Sequence, residues 1–175
     1  MRRLLLLRHA KAEQDTGGGD FARGLTDRGR ADAARMGHAL DTHAWLPDLV
    51  FCSSAARTVQ TFEQLSAELA KAPCVEFQKT LYLAPPKQIF EAVRKSPAAA
   101  RAVMVIGHNP GIEDLANRLA SKPQSQEEAE HRATLHEKYP TCALAVLDFA
   151  VDAWSDIAPG TAALTDFVRP KDVRN

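Results

Sequence analysis

A chain of 175 residues is long enough for one well-buried core and, on size alone, too short for two ordinary domains. Its 22 Lys and Arg residues balance 22 Asp and Glu, so no overall field draws it to nucleic acid or to an acidic membrane, and any anion site has to be local. Cys52, Cys74 and Cys142 are odd in number, far apart and without a CxxC pair, which argues against a disulfide framework or a zinc site and suits a reducing compartment.

The chain opens MRRLLLLRHAKAE. Leu4 to Leu7 is a short, wholly apolar run, the mark of a strand covered on both faces as in a parallel sheet between helices. Arg8 and His9 end the run too early for a secretory signal, and no other stretch is long and apolar enough to cross a bilayer, so a cytoplasmic protein is expected. A glycine-rich stretch, Gly17 to Gly19, precedes an alanine-rich helix with Thr26 as its N-cap and Ala34, Met36, Gly37 and Leu40 at helical spacing. Leu49 to Cys52 reads as the second strand, leading through Ser53 and Ser54 into a helix carrying Val59, Phe62, Leu65 and Leu69. The same rhythm gives a weak strand over 75–77, a helix from Pro86 to Arg94 and a strong strand from Ala102 to Ile106. There follow a Gly-His-Asn-Pro-Gly turn at 107–111 and a helix with Ile112, Leu115, Ala116 and Leu119. This alternation predicts an α/β fold, a three-layer sandwich whose central, mostly parallel sheet is flanked by helices. Ser121 to Lys138 is polar and reads as a solvated insertion within a single domain spanning 1–175. Ala143 to Phe149 is a late strand, with Trp154 to Ile157 as its expected hairpin partner. Gly160 to Asn175 reads as a tail anchored by Leu164 and Phe167.

In open α/β sheets ligands bind outside the carboxyl ends of the strands. Three strands here end in groups suited to phosphate: Arg8-His9, then Cys52-Ser53-Ser54 with Arg57 one turn into the next helix, then Gly107-His108-Asn109. If these strands are parallel, two histidines and two arginines converge on one edge. Phosphoryl transfer requires an in-line nucleophile and positive charge around the equatorial oxygens. Arginine supplies planar, permanently charged forks, and a neutral imidazole can attack phosphorus if its other nitrogen is held as a donor. Taken singly, each feature has a plain alternative: an Arg-His pair occurs by chance, Arg57 suits a solvated helix face, and 107–111 suits an ordinary Pro-Gly turn. Their common placement at strand ends is what selects the functional reading.

Six segments, LLLLRHAKAE, LTDRGRADAARMG, PDLVFCSSAARTVQT, LYLA, VIGHNPG and PTCALAVLDF, resemble in content and order the histidine phosphatase superfamily with its phosphoglycerate mutase-like fold, and within it the phosphohistidine phosphatase SixA type. The resemblance implies that His9 is the phosphorylated nucleophile, that Arg8, Arg57 and His108 form the phosphate pocket, and that Ser53, Ser54 and Asn109 support it. Two departures stand out. Ala10 replaces the glycine of the more familiar Arg-His-Gly motif, and Leu81 to Pro85 lacks the carboxylate that mutases and many sugar phosphatases place after the third strand. An alkoxide leaving group needs a placed acid, typically worth about 100- to 10,000-fold, whereas a phosphoramidate leaves more easily. A site without that acid is therefore expected to favour phosphohistidine on a protein, for instance a histidine phosphotransfer protein, or else activated esters. Glu13 is the remaining acid candidate, and Lys11 and Arg23 are candidates for positive charge at the rim, with a solvated surface role as the alternative for both.

No cofactor and no metal is expected: His131 and His136 are five apart and so off one helix face, and His38 and His43 sit at a helix end where they suit the dipole. Three rival readings remain. One is a phosphatase of the same superfamily acting on small phosphate esters, and another a phosphoprotein-binding module with negligible turnover. The third is a cysteine phosphatase using Cys52 and Arg57, against which stand the four intervening residues in place of five and a glycine-free loop.

Overall fold

The computed structural model describes residues 1–173. Six strands form one mixed sheet: β1 (Arg2–Arg8), β2 (Leu49–Ser53), β3 (Cys74–Gln78), β4 (Ala102–Gly107), β5 (Leu144–Phe149) and β6 (Ala163–Val168). Their order is β3-β2-β4-β1-β5-β6. The first four are mutually parallel, β5 runs antiparallel to β1, and β6 antiparallel to β5. Five helices flank the sheet: α1 (Asp27–Thr42), α2 (Ala56–Ser66), α3 (Pro86–Arg94), α4 (Gly111–Leu119) and α5 (Gln126–Glu137).

The four leucines of β1 explain the division into layers. Successive strand side chains point to opposite faces. Leu4 and Leu6 enter one core with Ile89 and Val93 of α3 and Ile112 and Leu115 of α4. Leu5 and Leu7 enter the other with Met36 and Leu40 of α1 and Phe62 and Leu65 of α2. All four are fully buried, each contributing about 1.5–3 kcal/mol of apolar transfer. Helix α1 begins where expected, with Thr26 Oγ1 accepting from the Gly29 amide at 2.9 Å. No helix among the described residues is long and apolar enough to cross a membrane.

The C-terminal third departs from the sequence reading in two places. Trp154 is not in a strand: residues 154–156 form one 3-10 turn, with the indole buried and its Nε1 donating to the Ala100 carbonyl at 2.6 Å. The partner of β5 is β6, which lies inside the expected tail; Arg174 and Asn175 of that tail fall outside the described residues. A register shift opposite Val146 and Leu147 leaves Thr165 as the extra residue, since Leu147 faces Leu164 and Val146 faces Asp166. The bulge puts Leu164 and Phe167, three residues apart, both in the core, and so hides the two-residue alternation by which a strand is recognised. The polar segment at 121–138 is mostly helix α5, which buries Leu135 in the first core; α5 packs along β6, and its His131 stands 3.8 Å from Asp166.

Candidate active site

The strand order β2-β4-β1 brings three distant segments side by side. Arg8 is level with Gly107, and Cys52 with Ile106, so Ser53, His108 and His9 leave the sheet at one edge. The His9 and His108 rings lie 5.4 Å apart between centroids, tilted by 54°. His108 Nε2 is 2.7 Å from Ser53 Oγ, and Arg57 Nε donates to His9 Nε2 at 3.3 Å. Of the two histidines and two arginines expected at one edge, His9, His108 and Arg57 meet here directly.

The state of His9 follows from its partners. Its Nδ1 lies 2.7 Å from the Ala10 carbonyl oxygen, which can only accept, so Nδ1 carries the hydrogen and Nε2 presents a lone pair. Burial, and then the charges of Arg57, Arg8 and Arg23, pull its pKa down to about 4 against the upward effect of the Ala10 bond. His108 is drawn down to about 3, chiefly by burial and then by His9 and the arginines. Both rings are thus neutral near pH 7. The position of His9 is fixed by backbone bonds on each side, its amide donating to Gly107 and its carbonyl accepting from Cys142. The Ala10 amide donates to Thr61 Oγ1 at 3.0 Å, and that hydroxyl donates to the Arg57 carbonyl at 2.7 Å. The methyl of Ala10 is fully buried in the second core.

Arg8 is held by the segment between α5 and β5. Its Nη1 donates to the Tyr139 carbonyl at 2.9 Å, and Asn109 Nδ2 donates to the same oxygen at 3.2 Å and to Glu113 at 3.0 Å. The Tyr139 hydroxyl donates to the Leu6 carbonyl at 2.5 Å, pinning this support to β1 itself. Two polar atoms of the site, Arg8 Nε and His108 Nδ1, are buried with no hydrogen-bond partner within the protein. Buried polar atoms are costly when unpaired, and a tetrahedral oxyanion would satisfy them where each carries a hydrogen, as Arg8 Nε does.

Of the remaining sequence candidates, Arg23 joins the group through Asp20, and Ser54 is half-buried beside it with its amide donating to Gln78. Lys11 and Glu13 do not: both side chains are exposed and without hydrogen bonds, and only their backbones are used, the Lys11 carbonyl by Thr26, the Glu13 carbonyl by Arg23 and the Glu13 amide by Gly24. Cys52 is fully buried in the second core, where burial pushes its thiol far up, so it is no nucleophile.

Two residues of the site were not foreseen. The Asp20 backbone carbonyl accepts from Arg57 Nη1 at 2.8 Å and its Oδ2 from Arg57 Nη2 at 3.0 Å; Arg23 Nε donates to Oδ1 at 2.9 Å. The Tyr82 hydroxyl donates to Oδ2 as well. These partners, Tyr82 first and then Arg23 and Arg57, hold the carboxyl far below the usual carboxylate range, so it is an anion. Tyr82 also sets its ring edge-on to His108, with centroids 5.4 Å apart, and lies 5.8 Å from the Arg57 guanidinium carbon. Close packing of its loop against α4 requires Gly111, where a Cβ would stand 2.1 Å from the Ala84 carbonyl oxygen. The one sequence signal for Asp20 is its i,i+3 spacing from Arg23. Among the described residues no group of three or more His, Cys, Asp or Glu is arranged to hold a metal ion.

Known proteins are similar to this chain in sequence and fold. The family model described as histidine phosphatase superfamily, branch 1, matches residues 4–81. A Nakamurella multipartitia protein assigned as phosphohistidine phosphatase SixA is 31% identical, with 97% of this chain and 96% of that one covered at a TM-score of 0.81. A protein histidine phosphatase SixA complexed with tungstate shares the fold at 19% identity and a TM-score of 0.77, over 98% of this chain and 99% of that one. An uncharacterized Mycobacterium tuberculosis protein is 33% identical over 165 residues, which is 94% of this chain and all of the other. A likeness running through both cores and all three strand-end segments has a single source: the chain belongs to the histidine phosphatase superfamily, among its SixA-type phosphatases.

Proposed function

We propose that this phosphatase removes phosphoryl groups from phosphohistidine on proteins, with His9 as the nucleophile. The observation that carries the reading is the tautomer of His9: with Nδ1 committed to the Ala10 carbonyl, Nε2 keeps its lone pair for phosphorus, shared at rest with Arg57 Nε at 3.3 Å. In the first step Nε2 attacks phosphorus as the P–N bond of the substrate breaks. The bonding pair returns to the departing imidazole, whose second nitrogen has already taken a proton from solvent, so it leaves neutral. Arg8, Arg57 and the neutral His108 hold the three equatorial oxygens, which is where positive charge and fixed donors lower the barrier. In the second step water attacks the phosphohistidine on His9, phosphate departs, the pair returns to Nε2 and the proton passes to solvent.

The preference for a phosphoramidate rests on the acids at hand. Asp20 reaches the pocket but is held ionised by Tyr82, Arg23 and Arg57, so it has no proton to give an alkoxide. His108 is neutral, so it offers no imidazolium proton either. Exposed Phe21, 4.9 Å from Tyr82 in an edge-on contact, and exposed Leu83 offer apolar surface beside the pocket that suits a protein substrate. The test is single-turnover reaction with a phosphohistidine peptide and with a plain alkyl phosphate. An acid-labile, base-stable phosphoryl label on His9, absent in His9→Ala, and a kcat/KM at least about 100-fold higher on the peptide are expected. Equal efficiency on both substrates would remove the substrate assignment, and absence of the label would remove the nucleophile.

A further inference from the structure

All three donor groups of the Arg57 side chain are engaged inside the protein: Nε with the nucleophilic nitrogen of His9, and Nη1 and Nη2 with Asp20. Arg57 is 2% exposed, whereas the Asp20 side chain is 45% exposed and stands on a short turn over residues 20–22. A phosphoryl group that takes both terminal nitrogens of Arg57 meets the Asp20 carboxylate on Nη2, and the two anions compete for that donor. The segment bearing Asp20 is built so that it can withdraw. Gly17 and Gly19 have φ of 111° and 88°, in the left-handed region, with open space where a Cβ would stand. Short ties, from the Gly17 and Gly19 amides to Asp15 and from Arg23 to the Glu13 carbonyl, hold the loop to itself.

We propose that Asp20 is an internal anion that occupies the Arg57 fork between turnovers and is displaced by the substrate phosphoryl group, making it a positioning residue that weakens retention of the phosphate product. It keeps the buried guanidinium paired and oriented on His9 while the site is free of phosphate. After hydrolysis the carboxylate competes with inorganic phosphate for Nη2 and returns to it as phosphate leaves. Tyr82, which donates to Oδ2, steadies the carboxylate in that place.

The inference rests on the phosphate pocket assigned above, and its test separates the two. Calorimetric titration of the full chain with inorganic phosphate and with orthovanadate is compared for wild type, Asp20→Asn, Tyr82→Phe and Arg57→Ala, each checked for a cooperative melt. Exchanging a charged competitor for a neutral one removes about one charge-assisted bond's advantage, so Asp20→Asn should bind phosphate about tenfold more tightly. Tyr82→Phe should tighten binding in the same direction by a smaller factor without altering charge, and it serves if Asp20→Asn does not fold. Asp20→Glu should stay within about threefold of wild type, as a carboxylate still reaches the fork. Wild-type binding that depends on Arg57 but is unchanged or weakened in both Asp20→Asn and Tyr82→Phe would overturn the inference alone. Binding indifferent to Arg57→Ala would overturn the pocket itself. A fall in kcat for Asp20→Asn with unchanged phosphate affinity would mark Asp20 as a proton donor and overturn the displacement.

Discussion

Two buried neutral imidazoles make this protein sensitive to mild acid, by an amount that can be worked out. An unfolded histidine takes up a proton as the pH falls through about 6.5, whereas His9 and His108 stay neutral in the fold until about 4 and 3. Between these limits the unfolded chain binds more protons than the folded one, so stability falls as the pH is lowered, by about 1.4 kcal/mol per pH unit for each ring. From pH 7 to pH 5 the loss is about 2 kcal/mol per ring and about 4 kcal/mol for the pair. That is a large share of the 5–15 kcal/mol typical of a folded domain. Paired Asp20 does not blur this window, since a carboxylate with a depressed pKa releases its stabilisation only below its ordinary value of 3.8. The assay is equilibrium urea unfolding at pH 7, 6 and 5 in phosphate-free buffer, because bound phosphate would stabilise the fold by mass action. His9→Asn and His108→Asn should each lose about 2 kcal/mol less than wild type over this interval, whatever their stability at pH 7. Equal losses in all three proteins would mean that the rings titrate as they do in water, and the argument for a neutral nucleophile would fail with it.

Two further outcomes are expected. Cys52→Ser should keep kcat within about twofold of wild type, at a stability cost of about 1–3 kcal/mol for a hydroxyl in the core, read by thermal melting and a discontinuous phosphate-release assay; loss of turnover in the folded variant would restore the cysteine mechanism. Gly111→Ala forces a Cβ to within 2.1 Å of the Ala84 carbonyl unless the backbone moves, so it should cost about 1–3 kcal/mol and lower kcat by shifting the Tyr82 loop against His108, and an unchanged melt would show that α4 and this loop are not tightly apposed.

The parallel half of the sheet was legible because its strands are buried on both faces and read as unbroken apolar runs: Leu4 to Leu7, Leu49 to Cys52 and Val103 to Ile106. The placement of His9, Arg57 and His108 followed from that half, since ligand groups gather where parallel strands end. Strand β6 escaped because its bulge at Thr165 breaks the alternation, and Trp154 looked like strand because a buried indole and a strand aromatic have the same composition signal. Asp20 escaped for a different reason. A carboxylate in a glycine-rich loop reads as solvated, and nothing local tells that its partner, Arg57, lies 37 residues away across the pocket. Glu13, the acid that sequence proximity favoured, points to solvent while Asp20 takes the inward place.

The hydroxyl of Thr61 receives the Ala10 amide, next to His9, and gives its proton to the Arg57 carbonyl. Through this one oxygen the segment leaving the first strand and the second helix are coupled, so His9 and Arg57 are tied to move together. Fit to substrates of different shape must therefore come from the opposite wall, where the glycine loop and the tyrosine stand. Diversification within this branch should accordingly be written in residues 14–24 and 79–85, leaving the Thr61 link untouched.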